Sequence, residues 1–391
     1  MAFVSADRPR FEILDGLRGV AAIIVVAFHI FEAYSPGPAL QIINHGYLAV
    51  DFFFALSGYV IGYAYDDRWS RGMTVGGFML RRVVRLHPMV IMGALFGFLT
   101  FYLSAGAVSP AVASTPLLTL SVVFLLTCLL IPAPSGLDIR GWGESYSLDG
   151  PMWSLMFEYI GNLLYALFVR RFPCWLLALF VAISAALTID VALDIDLFNI
   201  LEARSYHIYT IIGGWSLNAD QLYIGSVRLL YPFFCGLLVY RLGLRIKLRG
   251  AFLWCSAGVV ALMSLPRIGY GDTAWHNGLY EAVAILVLFP VIVMAGAGSK
   301  IRGSRQIALC RWLGAVSYPL YLIHYPLIYL YFDWQRGHAS LPLQIHVFTG
   351  VSVLLLSVAL AWGVLRLYDI PVRRFLTSAW LKKTEIGRRG Q

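Results

Sequence analysis

Apolar runs recur along the whole chain, each bounded by polar or charged stretches. Most reach the roughly 17–25 residues that cross a hydrocarbon core as a helix. They are continuous, without period-2 alternation, which predicts helices rather than a closed barrel. The pattern predicts an all-α polytopic membrane bundle of about ten transmembrane helices, at 13–34, 47–64, 84–104, 151–169, 175–191, 223–240, 252–267, 279–297, 312–331 and 345–366. One further run, 117–131, is short for a crossing and predicts a re-entrant or interfacial segment.

Charge orients this pattern. Most of the 30 lysines and arginines lie in 1–12, 65–86, 170–174, 241–250, 299–312 and 366–391. The intervening connections carry scattered arginines, namely Arg140, Arg204, Arg228, Arg267 and Arg336. With 117–131 non-spanning, the positive-inside rule puts every rich segment and both termini in the cytoplasm. If that run crossed, the basic tail RRFLTSAWLKK would face outward. The expected organisation is one transmembrane domain over 1–370 and a basic cytoplasmic tail over 371–391. The chain is 59% hydrophobic and 13% charged, against roughly a quarter charged for soluble domains. Its net charge of +9 therefore reports membrane orientation and no nucleic-acid partner. A polar start followed by a long run interrupted by Arg18 predicts a signal anchor, not a cleaved leader. The five cysteines show no CxxC spacing, which predicts packing and neither a disulfide framework nor a metal site.

Several stretches depart from plain apolar patterning. In LDGLRGVAAIIVVAFHI, Arg18 and His29 are eleven residues apart. Eleven residues turn an α-helix through about 1100°, so both side chains share one face. Ionisable residues inside spans mark cavities or reaction paths, although Arg18 would also serve as a snorkelling anchor. Asp51 precedes FFFALSGYVI, whose Ala55, Ser57 and Gly58 suit close helix contact. In RRVVRLHP, Arg81, Arg82 and Arg85 lie on neighbouring turns, where planar guanidinium groups suit phosphate oxygens or positive-inside anchoring. In PMWSLMFEY, Glu158 lies about 10 Å below the outer end of its helix. His324 in SYPLYLIHYPLI, which begins at Ser317 and Tyr318, comes out at similar depth, as does His29. Two connections, 132–150 and 192–222, mix acidic and aromatic residues, as a polyhydroxylated ligand or an interfacial aromatic belt requires.

In these blocks, taken in order, the chain resembles the acyltransferase family 3 of integral membrane proteins. Arg18 and His29 match the family's Arg-x10-His, Arg82 and Arg85 its Arg-x-x-Arg, and the other three stretches its remaining blocks. Two departures are His87, where an aromatic residue is usual, and Tyr159, where a second Glu or a Gln follows Glu158. The resemblance implies acyl transfer, commonly acetyl, from cytoplasmic acyl-CoA to a hydroxyl of an extracytoplasmic carbohydrate. It implies that His29 is catalytic and that the arginines, Arg18, Arg81, Arg82 and Arg85, serve the donor. No permanently bound cofactor or metal is expected, and the location expected is the bacterial inner membrane. An imidazole changes charge near neutral pH, so His29 suits a general base, with Glu158 orienting it in the manner of a carboxylate beside a catalytic histidine. Asp51, Ser57, Tyr318 and His324 are expected to support the acceptor, and Ser57 is the alternative acyl carrier. The competing reading is a proton-coupled transporter of a polyhydroxylated or anionic solute through His29, Glu158 and His324. Transporters often carry inverted repeats, and none is evident here.

Overall fold

The structure is a computed structural model that describes residues 10–35, 37, 40–106, 108–201 and 208–381. Residues 1–9, Arg204 and the tail from 382 lie outside the described residues, as do the expectations that fall on them. Among the described residues there is no strand. The helices are α1 (Glu12–Glu32), α2 (Ala49–Trp69), α3 (Val75–Thr100), α4 (Leu117–Cys128), α5 (Met152–Leu167), α6 (Cys174–Ala192), α7 (Ala219–Arg241) and α8 (Ala251–Ser264). Then come α9 (Trp275–Val283, continued through a π turn by Phe289–Gly298), α10 (Ser304–Gly337) and α11 (Leu343–Val364, continued by Leu365–Asp369 and Ile370–Leu376).

Seven helical stretches among the described residues are long and apolar enough to cross a bilayer: Glu12–Glu32, Gly46–Trp69, Val75–Ser104, Cys174–Ala192, Ala219–Arg241, Gly271–Gly298 and Leu343–Trp380. Each coincides with an expected span. The other three expected spans fall on α5, α8 and α10, with 16, 14 and 34 residues. The first two are short of the roughly 20 residues of an upright crossing, and α10 mixes tyrosines, two prolines and His324 into its apolar run. Helix α4 has 12 residues, a rise of roughly 18 Å against a core of about 30 Å, which suits the non-spanning role expected of 117–131.

The chain forms two compact units, Met1–Asp67 with Trp153–Ser317 and Arg68–Met152 with Tyr318–Gln391. In the first, α1 packs on α8 and α6 on α7. Small residues bring α2 against α7, as the FFFALSGYVI stretch predicts. A Cβ on Gly58 would collide with the Phe233 carbonyl, and one on Gly236 with the Ala55 carbonyl. Two glycines thus let these backbones touch at their crossing, with dispersion and no side-chain filler between them. The buried core includes Leu17, Val26, Phe52, Phe233 and Phe289.

In the second unit, α3 and α4 enclose Phe101, Val112, Leu120, Val123, Ile139 and Leu148. Thr74 caps α3 by accepting from the Gly77 N–H. Gly93 of α3 faces the Leu322 carbonyl of α10. That carbonyl lies four residues before Pro326, which has no N–H to bond it. The sequence-distant glycine and the helix-internal proline therefore meet at one place.

Candidate active site

The Arg-x10-His face of α1 forms as its spacing predicts. Arg18 lies 3.6 Å from Asp15 Oδ1. His29 Nδ1 lies 2.7 Å from Glu32 Oε2. A carboxylate there accepts only, so Nδ1 carries the proton in the neutral imidazole and Nε2 is its basic nitrogen. This is the arrangement a general base requires, and the carboxylate that fixes the tautomer is Glu32, one turn on. The sequence carried the signal, since residues three apart on a helix are neighbours. Glu158, expected to orient the imidazole, accepts a hydrogen bond from Ser57 Oγ at 3.1 Å, with Asn162 donating to its backbone carbonyl at 2.6 Å. Residue Ser57 therefore has a carboxylate beside it.

Asp51 is wholly buried and belongs to a brace. Arg228 Nη2 donates to its Oδ2 at 2.8 Å, to the Tyr47 carbonyl at 2.6 Å, and Nη1 to the Gly213 carbonyl at 2.9 Å. The guanidinium lies 5.0 Å from the Trp153 ring centre. A buried pair with its remaining donors satisfied is the only kind that burial tolerates, so Asp51 supports the fold of this unit here.

Near that brace, sequence reasoning missed a buried carboxylate. Glu281 is fully buried and accepts from Tyr47 Oη at 2.5 Å, Thr210 Oγ1 at 2.9 Å, the Ile211 N–H at 2.7 Å and Asn277 Nδ2 at 2.5 Å. His45 Nε2 meets Asn277 Oδ1 at 3.0 Å. Together these groups tie the start of α2, the connection after α6 and the start of α9. Donors as distant in sequence as Tyr47, Thr210 and Ile211 leave no local spacing to read.

The remaining expected residues lie in the second unit. Arg82 is buried and Arg81 donates to the Gly77 carbonyl at 2.9 Å. The charge of Arg85 bears on Asp369, which pairs with Arg373. The unusual His87 bonds the backbone of Cys128 at the end of α4. Tyr318 donates to the Leu86 carbonyl at 2.7 Å. His324 is fully buried, with Nδ1 at 3.0 Å from the Leu320 and Tyr321 carbonyls. A histidine donating to backbone carbonyls beside prolines in this way has a structural role. Groups of His, Cys, Asp and Glu able to hold a metal are absent among the described residues.

The 132–150 connection gives this unit its own polar cluster. Tyr329 and Tyr325 donate to Glu144 at 2.5 and 3.3 Å. Arg140, buried, stacks over the Tyr329 ring at 3.5 Å and donates to the Ser147 carbonyl and Ser104 Oγ. Asp149 is wholly buried and neither carboxyl oxygen has a hydrogen-bond partner among the described residues. Burial pushes Asp149 well above the usual carboxylate range, with the charge of Glu144 adding to it. Burial also pushes Glu144 from 4.5 up to about 7, against the tyrosine donors and Arg140. A carboxyl raised on folding holds its proton more tightly when folded. Its contribution is complete below the unfolded value and is lost as pH rises through the folded one. Stability therefore falls between pH 4.5 and 7, by at most about 3 kcal/mol at roughly 1.4 kcal/mol per unit. Glu144→Gln is expected to flatten that part of the thermal-unfolding profile of the full chain. An unchanged slope in the variant would show that Glu144 does not titrate there.

Comparison with known proteins bears on the chain as a whole. Residues 11–365 match the model of a family described as an acyltransferase domain. The chain is 23% identical over 334 residues to the peptidoglycan O-acetyltransferase OatA of Listeria monocytogenes, covering 81% of this chain and 49% of that protein. It is 28% identical over 341 residues to the acyltransferase MdmB of Streptomyces mycarofaciens, covering 82% of this chain and 79% of that one. A 192-residue stretch is 34% identical to protein 2 in the picA locus of Rhizobium radiobacter, covering 47% of this chain and 96% of that protein. The chain thus spans about half the length of the listerial relative. No solved structure matches.

Proposed function

The chain belongs to this acyltransferase family, and from that premise we propose that it moves an acyl group, acetyl in the first instance, from cytoplasmic acyl-CoA to a hydroxyl of an extracytoplasmic carbohydrate. The observation that carries the proposal is the imidazole of His29 on the Glu32 carboxylate, at the end of a helix whose other end has Arg10 just before it and Arg18 in its second turn. His29 Nε2 takes the proton of the acceptor hydroxyl as its oxygen attacks the thioester carbonyl. The carbon–sulfur bond then breaks and the thiolate of CoA leaves, to be protonated in turn. Glu32 steadies the imidazolium that forms. Glu158 and Ser57 act beside it, and Arg18, Arg81, Arg82 and Arg85 hold donor phosphates through charge-assisted bonds. Both termini face the cytoplasm, the membrane is the bacterial inner membrane, and the connections 132–150 and 192–222 select the acceptor.

The test uses the purified full chain in proteoliposomes with radiolabelled acetyl-CoA outside, on the face where the termini are exposed, and envelope oligosaccharides within. CoA release that depends on the oligosaccharide, with label appearing as a base-labile ester on it, is the expected result. Label uptake without ester formation would overturn the enzyme reading.

A further inference from the structure

At the N-terminal end of α1, the first unit carries an aromatic group that the transfer chemistry does not use. Phe11 sits just before α1, its ring centre 4.7 Å from that of Tyr63 and 5.4 Å from that of Tyr59. Tyr240 closes the group at 5.7 Å from Tyr59 and 6.2 Å from Tyr63. Tyr59 is buried, whereas Phe11, Tyr63 and Tyr240 are half-buried and keep ring surface accessible. The guanidinium of the exposed Arg245, from the connection after α7, lies 5.9 Å from the Phe11 ring centre and bonds the Tyr59 hydroxyl.

The charges around Phe11 are unbalanced. Asp15 is shared between Arg10 at 3.1 Å and Arg18 at 3.6 Å, and Glu12 is engaged by Arg311 at 3.0 Å. With Arg245, four guanidinium groups face two carboxylates. Arg245 has no carboxylate partner among the described residues. An interfacial aromatic belt accounts for half-buried tyrosines, but it needs no cation over a ring and no excess of guanidinium groups. Flat aromatic and guanidinium faces together with surplus positive charge suit a purine bearing phosphates.

We propose that Phe11, Tyr63, Tyr240 and Arg245 form the subsite for the nucleotide end of the donor, stacking the adenine while Arg245, Arg10 and Arg18 face its phosphates. This rests on the reading that acyl-CoA is the donor and that this end of α1 faces the cytoplasm. It assigns the adenine to residues outside the family's arginine blocks, and it separates donor recognition at one end of α1 from proton transfer at the other.

The experiment compares acetyl-CoA with S-acetylpantetheine, which lacks the nucleotide, in the purified full chain. The kcat/KM preference for acetyl-CoA is expected to fall about tenfold in Arg245→Ala and in Tyr63→Leu, through KM, with Arg245→Lys recovering part of it. Binding of adenosine 3′,5′-bisphosphate is expected to weaken in parallel. Equal losses for both donors would make the cluster a structural one and overturn the proposal, as would an unchanged preference. If the wild type binds the bisphosphate and loses it in Arg245→Ala but releases no CoA, the subsite stands and the acyl-CoA reading falls. If it turns over acetyl-CoA without binding the bisphosphate, the reverse holds.

Discussion

Replacing His29 by alanine is expected to lower acyl transfer by at least 10²–10⁴-fold, the usual contribution of a positioned general base, while the purified protein keeps its elution profile and unfolding temperature. His29 is partly exposed and pairs with Glu32, itself 40% exposed at the side chain, so solvent screening leaves this pair little weight in folding. Exposure also limits what Glu32 adds, because solvent screens the interaction. Glu32→Gln keeps an oxygen for Nδ1–H but loses the charge that steadies the imidazolium. The expected loss in kcat is about tenfold, with KM for both substrates unchanged. If Glu158→Gln instead reproduced the full His29 loss while Glu32→Gln had no effect, the orienting carboxylate would be Glu158, as the sequence pattern alone suggests. Full activity in His29→Ala would remove the base from this helix altogether.

What the chain reveals before folding follows the range over which each interaction is encoded. The helices announce themselves because a spanning segment must satisfy its own backbone, so its length and apolarity are local properties. The pairing of Arg18 with His29 on one face is local for the same reason. Gly58 reads as a contact residue from its neighbours, yet its partner, the Phe233 carbonyl, is a backbone atom that no pattern names. Asp51 stands out in an apolar stretch, but Arg228, 177 residues away, gives no sign of being its counter-charge. Glu281 passes unnoticed because its four donors come from three separate segments. The division into two units is hidden for a further reason. It cuts α10 between Ser317 and Tyr318, within an uninterrupted helix where composition does not change.

The buried brace gives the second large expectation. Arg228→Ala leaves the Asp51 carboxylate without its counter-charge in a wholly buried position. Losing one member of such a pair costs about 3–5 kcal/mol. The loss should appear as a lower unfolding temperature in detergent and a smaller folded fraction. Asp51→Ala is expected to be similarly severe, since a guanidinium cannot shed its charge. The double variant Asp51→Val with Arg228→Met removes both charges with little change in volume and should recover most of the stability, because desolvating the pair offsets much of its attraction. Recovery should be incomplete. The Tyr47 and Gly213 carbonyls lose the donors they have from Arg228, and an unmet buried acceptor costs about 1–3 kcal/mol. Gly213 also belongs to the connection that would select the acceptor. The rescued protein is therefore expected to fold, retain CoA release from acetyl-CoA at a reduced rate, and show a raised KM for the acceptor. Single variants within about 1 kcal/mol of the wild type would show that water reaches the pair and that the start of α2 is held by the Glu281 network alone.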